Sequence, residues 1–268
     1  MTLDGWFDAT WSVYTGCNPL GSGCDFCFAQ RQAGSHFHFR DPRLYGGTTK
    51  FEVGRPVWNG NLRALAPDDP EWRFPQNWSG AQKPLLGPGM PSLILGTNMG
   101  ELFFQPRPVI DRVVGRLALS DHIGLLATRL PAVMSRYFSA PESALLLPRR
   151  QEHLWLGFSA EDQGCFDKRW VQFKPLADAG WQTFVSISPM RGPVTLPPDF
   201  LEYGPRTWVI VSGDQDICAP RMDIAWARPI RDLCRAASIP FFMFRANTGE
   251  EIPDDLRIRQ FPRRRMGK

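Results

Sequence analysis

His153-Leu154-Trp155-Leu156-Gly157-Phe158, running straight into Ser159-Ala160-Glu161-Asp162, is the stretch on which the fold is read. A short, nearly continuous apolar run with a β-branched or aromatic bias fits a strand covered on both faces. Comparable runs recur at 92–96, 123–127, 182–187, 207–212 and 239–244. Between them the apolar residues return at helical spacing. Val109, Val113 and Leu117 mark a helix over 108–119, and Ile230, Leu233, Cys234 and Ala237 mark another over 225–237. A third helix is expected over 167–179, bent at Pro175 and closed by Gly180.

Strand–helix alternation on this scale specifies a parallel sheet. With a first short strand at 9–14, the expectation is an α/β fold: a partial (β/α) barrel of about six to seven parallel strands. The 268 residues are read as a single domain, 1–268. Residues 40–91 hold eight prolines, seven glycines and Trp58, Trp72 and Trp78. Breakers at that density end any regular period early, so this segment reads as an irregular insertion or lid whose tryptophans pack onto the body. Residues 250–268 form a basic C-terminal tail, with Arg257, Arg259, Arg263, Arg264, Arg265 and Lys268 able to grip phosphate or simply remain solvated. A net charge of +4 is too small by itself to announce nucleic-acid binding.

No apolar run reaches the length of a membrane span, and the N-terminus lacks a basic region followed by an apolar stretch. The expectation is therefore a cytoplasmic protein with no membrane partner. In that compartment clustered cysteines favour metal over disulfide. Three of the six cysteines form C-x6-C-x2-C at Cys17, Cys24 and Cys27, in a loop loosened by Gly16, Pro19, Gly21 and Gly23. Three converging thiolates call for a cation, either an iron–sulfur cluster or zinc. Three protein ligands leave one position open for chemistry, whereas His36 or His38 would close a structural zinc site. Cys165, Cys218 and Cys234 are scattered and read as small buried apolar residues.

Each apolar run ends in polar or small residues: Thr97-Asn98, Thr128-Arg129, Ser159 to Asp162, Ser186 and Ser188, and Ser212 to Asp214. In parallel α/β folds those carboxyl ends share one rim, where sites are built. Any one such residue is explained by turns and helix caps; five strands together point to a mouth.

On these residues the chain resembles a phage- and bacteria-associated, three-cysteine-motif family of uncharacterised proteins similar to radical S-adenosylmethionine (SAM) enzymes. The likeness rests on Trp11…Gly16-Cys17…Gly23-Cys24-Asp25-x-Cys27, Asn98-Met99-x-Glu101, Trp155 to Gln163, Ser186 to Pro193, Trp208 to Gly213 and Trp226 to Cys234. The resemblance implies a [4Fe–4S] cluster on Cys17, Cys24 and Cys27, with SAM on the open iron and a 5′-deoxyadenosyl radical acting on an unknown substrate, nucleic acid or nucleotide among the options. An external electron donor such as flavodoxin or ferredoxin is implied too. Phe26 is assigned to shelter the cluster or meet adenine, Thr128 and Arg129 to reach the SAM carboxylate, and Glu161 and Gln163 to bind ribose or methionine groups. Ser159 and Asp214 stand on the same rim. The alternatives are a zinc-stabilised, non-catalytic, nucleic-acid-associated module and a degenerate relative that keeps the cluster. The chain departs from the family pattern at Ser188, Asp214 and Phe244, all on the rim, and at Phe28, where tyrosine is commoner.

Overall fold

The structure, a computed structural model, describes residues 5–96, 98–145 and 153–262. Two short strands, β1 (Ala9–Thr10) and β2 (Tyr14–Thr15), lead into the cysteine loop and the helices α1 (Phe28–Gly34), α2 (His36–Arg40) and α3 (Pro42–Tyr45). A hairpin of β3 (Thr49–Glu52) and β4 (Arg55–Trp58) follows, then β5 (Arg63–Ala64) and α4 (Phe74–Asn77). The regular part comprises β6 (Leu93–Leu95), α5 (Arg107–Ala118), β7 (Ile123–Thr128), α6 (Pro131–Ser139), α7 (Pro141–Leu145), β8 (Leu154–Ala160) and α8 (Gln163–Asp178). It closes with β9 (Gln182–Ile187), α9 (Pro198–Leu201), β10 (Val209–Ser212), α10 (Ala227–Ala236) and β11 (Phe241–Arg245).

Seven strands form one curled, all-parallel sheet in the order β1-β6-β7-β8-β9-β10-β11, a half-barrel whose two edge strands do not pair. Sequential order with a helix after most strands is what repeated right-handed crossovers produce. The expected strands and helices fall in place to within a few residues. The helix expected from 167 begins earlier, at Gln163, because Asp162 caps it by accepting the Cys165 N–H at 2.8 Å. Pro175 sits inside its last turn.

The period of two along each strand sorts the side chains onto two faces. One face carries Ile94, Leu126, Leu156, Phe158, Val185, Val211 and Met243, which pack under the helices. The other carries Leu93, Leu95, Ile123, Leu125, Trp155, Phe184, Trp208, Ile210 and Phe242, joined by Trp6 and Phe261. This second cluster plugs the trough of the half-barrel at the amino end of the strands. Further along the same face the residues become small or polar: Ala127, Gly157, Ser159, Ser186 and Ser212. Gly157 is required there, since an added Cβ would lie 2.4 Å from the Phe184 ring.

The segment 40–91 carries short regular elements between its breakers, and its tryptophans reach the main core. Trp58 and Trp72 are buried, and Trp72 meets Trp11 edge-on with ring centroids 6.0 Å apart. The C-terminal segment is docked as far as it is described. Met243 donates to the Ile258 carbonyl, Phe242 and Arg259 form an antiparallel bridge, and Phe261 packs on Trp208. The solvated-tail reading therefore fails for 250–262, because Leu256 and Phe261 give this stretch apolar surface to bury. Arg263, Arg264, Arg265 and Lys268 lie outside the described residues, as does Thr97. Among the described residues no helix is long and apolar enough to cross a membrane.

Candidate functional site

The cysteine loop is pinned to the carboxyl end of β6. Gly16 bridges Gly100, Thr15 Oγ1 donates to the Met99 carbonyl at 2.8 Å, and Gln105 Nε2 donates to the Thr15 carbonyl at 3.1 Å. Gly16 has φ of +100°, and a Cβ there would stand 2.2 Å from the Asn61 carbonyl oxygen, so only glycine passes at this point. The loop then arches over the mouth. Arg31 of α1 forms an ion pair with Asp216 beyond β10, and the Phe26 ring lies between the guanidinium groups of Arg55 and Arg191, each 5.6 Å from its centroid. One loop thus contacts the ends of strands on both sides of the trough.

Arg129, directly after β7, is the centre of the site. Its Nη1 lies 2.8 Å from Cys24 Sγ, while Nη2 reaches the Gly23 carbonyl at 3.3 Å and Glu161 Oε1 at 3.0 Å. Glu161 Oε2 in turn pairs with Arg169 Nη1 at 2.5 Å, and that nitrogen also donates to the Ser159 carbonyl. Glu161 and Arg169 are both buried. Glu161 presses so closely on the loop that a Cβ on Gly23 would sit 2.4 Å from its Oε1. The glycine before Cys24 is therefore the space the carboxylate occupies. Burial alone would weaken the charge on Arg129, yet Glu161 and the three thiols hold its pKa above the ordinary value.

Glu101 supports the arginine from the other side. It accepts the Arg129 backbone N–H at 2.9 Å and the Thr128 hydroxyl at 2.7 Å. Burial nevertheless drives its pKa up from 4.5. Glu101 appears in the sequence only as part of a motif; a carboxylate five residues past an apolar strand was the available signal.

Of the three thiols, Cys24 is the one in direct contact with Arg129. Burial, then Glu101 and the other two cysteines, push the Cys17 thiol well above its usual pKa. Cys27, at the start of α1, is also raised by burial, against the N–H groups of Gln30 and Ala29. Burial thus favours the neutral thiol at Cys17 and Cys27. In this conformation the sulfurs have local partners. Cys17 donates to the Asn18 carbonyl, and Cys24 accepts the Leu20 N–H at 3.3 Å. Among the described residues no group of three or more His, Cys, Asp or Glu side chains is arranged to hold a metal ion. His36 is exposed and bonded to Arg40, and His38 stands edge-on to Phe39.

The remaining rim residues divide. Asp214 pairs with Arg191 at 2.6 Å and accepts the Asp216 N–H, joining the ion pairs around the mouth. Thr128 serves Glu101 and caps the turn into α6 by accepting the Leu130 N–H. Ser159 contributes its backbone carbonyl to Arg169. Gln163 turns away, exchanging hydrogen bonds with the backbone of Thr195. Of the other cysteines only Cys234 is buried as expected. Cys218 is exposed; Cys165 is half-buried, and burial beside Glu161 raises its pKa to about 11. A cavity of about 600 Å³ adjoins the Arg129–Glu161–Arg169 chain, lined by Leu20, Leu130, Cys165 and Lys168 among others.

The fold and site together define a parallel α/β half-barrel with a three-cysteine loop arched over its carboxyl rim. The chain belongs to the family described as "Protein of unknown function (DUF5131)", which matches residues 2–262. No curated protein and no solved structure matches it.

Proposed function

We propose that this protein is an iron–sulfur, SAM-dependent radical enzyme with Cys17, Cys24 and Cys27 as the cluster ligands. The observation that supports this reading is the contact between Arg129 and Cys24 Sγ, at 2.8 Å, which holds a three-cysteine loop at the carboxyl rim of a parallel half-barrel. When bound, a [4Fe–4S] cluster would supply the electron that cleaves SAM to a 5′-deoxyadenosyl radical. The chain's own share is positional. Arg129 donates a hydrogen bond to Cys24, and such bonds to cluster sulfurs tune potential and orient the ligand. Glu161 and Arg169 fix the arginine, while Glu101 fixes the backbone that carries it. Phe26, with the guanidinium groups of Arg55 and Arg191 each 5.6 Å from its ring centroid, is the aromatic group we assign to shelter the cluster. Ser159, Ser186 and Ser212 on the trough face, with Asp214, are the polar groups we assign to SAM or substrate. Electrons would come from a one-electron donor of the flavodoxin or ferredoxin type.

The test is anaerobic reconstitution with iron and sulfide. About four irons per chain and reductive release of 5′-deoxyadenosine from SAM are expected, both lost in Cys24→Ala. Stoichiometric zinc in a colourless protein, with no SAM cleavage, would replace this reading with a zinc-stabilised module.

A further inference from the structure

A second cavity, of about 390 Å³, opens at the carboxyl end of the last strand, β11. Arg245, Arg257 and Arg259 line it, with Met243, Ala246 and Ile252 as its apolar wall and Glu250 and Glu251 at its side. That volume falls in the range of small-ligand sites, about 300–1,000 Å³. The nearby acids are mostly already paired, one of them with an arginine of the cavity itself. Glu250 pairs with Arg221 and accepts from Asn247, Asp254 pairs with Arg257, and Asp255 with Arg228 and Arg231. Arg245 differs from the rest. It is half-buried, its guanidinium lies 4.2 Å from the Phe244 ring centroid, and among the described residues it has no carboxylate partner. Burial lowers its pKa. A partly desolvated guanidinium without a counter-anion, facing a cavity beside two more arginines, is a site that gains from receiving an anion.

We infer that this cavity binds the phosphate of a nucleotide unit, with Arg245 and Arg259 as the principal contacts. Arginine forks match phosphate oxygens bidentately, and the stacking of Arg245 on Phe244 sets the plane of the fork. Four further cations, Arg263, Arg264, Arg265 and Lys268, follow within six residues of Pro262 in the sequence, favouring a strand of phosphodiesters over an isolated phosphate. The inference does not depend on the cysteine chemistry, since binding needs neither cluster nor SAM.

The experiment measures fluorescence anisotropy of a labelled single strand of about twelve nucleotides between about 50 and 200 mM salt. Calorimetry with AMP and with inorganic phosphate runs alongside. Wild type is compared with Arg245→Gln/Arg259→Gln and with Glu251→Lys, which adds a cation at an exposed position of the same cavity. The double variant is expected to bind the strand about tenfold or more weakly and to lose about 0.7 from the magnitude of the salt slope, the share of one phosphate. Glu251→Lys should tighten binding. Circular dichroism and thermal midpoints check that each variant is folded, and the C-terminal cations are the same in all three proteins. Binding of AMP with no gain for the strand supports the phosphate site and assigns it to a free nucleotide. Wild-type affinity and slope in a folded double variant, or no binding of any phosphate by the wild type, overturns the proposal.

Discussion

Arg129 and Cys24, 105 residues apart in the chain, meet with Nη1 2.8 Å from Sγ. The contact ties a strand-end arginine of the half-barrel to the loop that arches over it. It also explains why the arginine is backed by two buried acids, since a guanidinium removed from water has to be compensated.

Glu161→Gln should be the most damaging conservative change at the rim. The amide preserves shape but leaves the buried Arg169 and the partly buried Arg129 without their shared anion. Removing one partner of a buried ion pair costs about 3–5 kcal/mol. Urea unfolding of the purified variant measures it, and a loss below about 1 kcal/mol would show that water already compensates both arginines.

Gly23→Ala tests the same contact by volume. The new methyl would stand 2.3 Å from Glu161 Cγ, so carboxylate or loop must shift. Overpacking of this kind costs about 1–3 kcal/mol. Gly164→Ala is the control: its Cβ meets nothing nearer than 3.7 Å, in a helix where alanine is preferred. Equal melting temperatures for the two variants would remove the steric argument.

Asp216→Asn should loosen the loop's hold on the far side of the mouth. Its ion pair with Arg31 is the link from α1 to the segment after β10, and Arg31 is partly exposed. The global cost is expected to be under about 1 kcal/mol, as for surface pairs. Hydrogen exchange in residues 28–34 should accelerate while exchange in β8 and β9 stays unchanged. Uniform acceleration through the sheet would contradict a local role.

Asp8 makes stability depend on pH. Its carboxylate accepts the Leu93 N–H at 2.7 Å and the Leu85 N–H at 3.0 Å, yet burial outweighs both and raises its pKa above 3.8. The folded state then binds this proton more tightly than the unfolded one. Its contribution is complete below 3.8 and is lost as pH climbs through the raised value. The stability of wild type relative to Asp8→Asn should therefore fall as pH rises across that window. A carbon NMR titration placing Asp8 at or below 3.8 would reverse the sign.

Much of the fold was legible before any coordinates. Short apolar runs punctuated by glycine and proline specify their own strands and helices through backbone sterics and burial, which act over a few residues. That is why β9 begins and ends where its apolar run does, and why three cysteines in eleven residues announce a site. Pairing among the rim residues was beyond that reach. Thr128, Arg129, Glu161 and Asp214 each read equally well as surface charge or turn-former. The acid facing an arginine lies on another strand, so only the curl of the sheet brings them together. Gln163 and Glu161 are two residues apart in sequence and share one strand-end loop. Hydrogen bonds to the Thr195 backbone hold the first, while alternation aimed the second at Arg129. Local chemistry determined the elements and the cysteine motif. The closing of seven strands into a half-barrel decided which charges became a site, because electrostatic partners are chosen by distance in space and by exclusion from water.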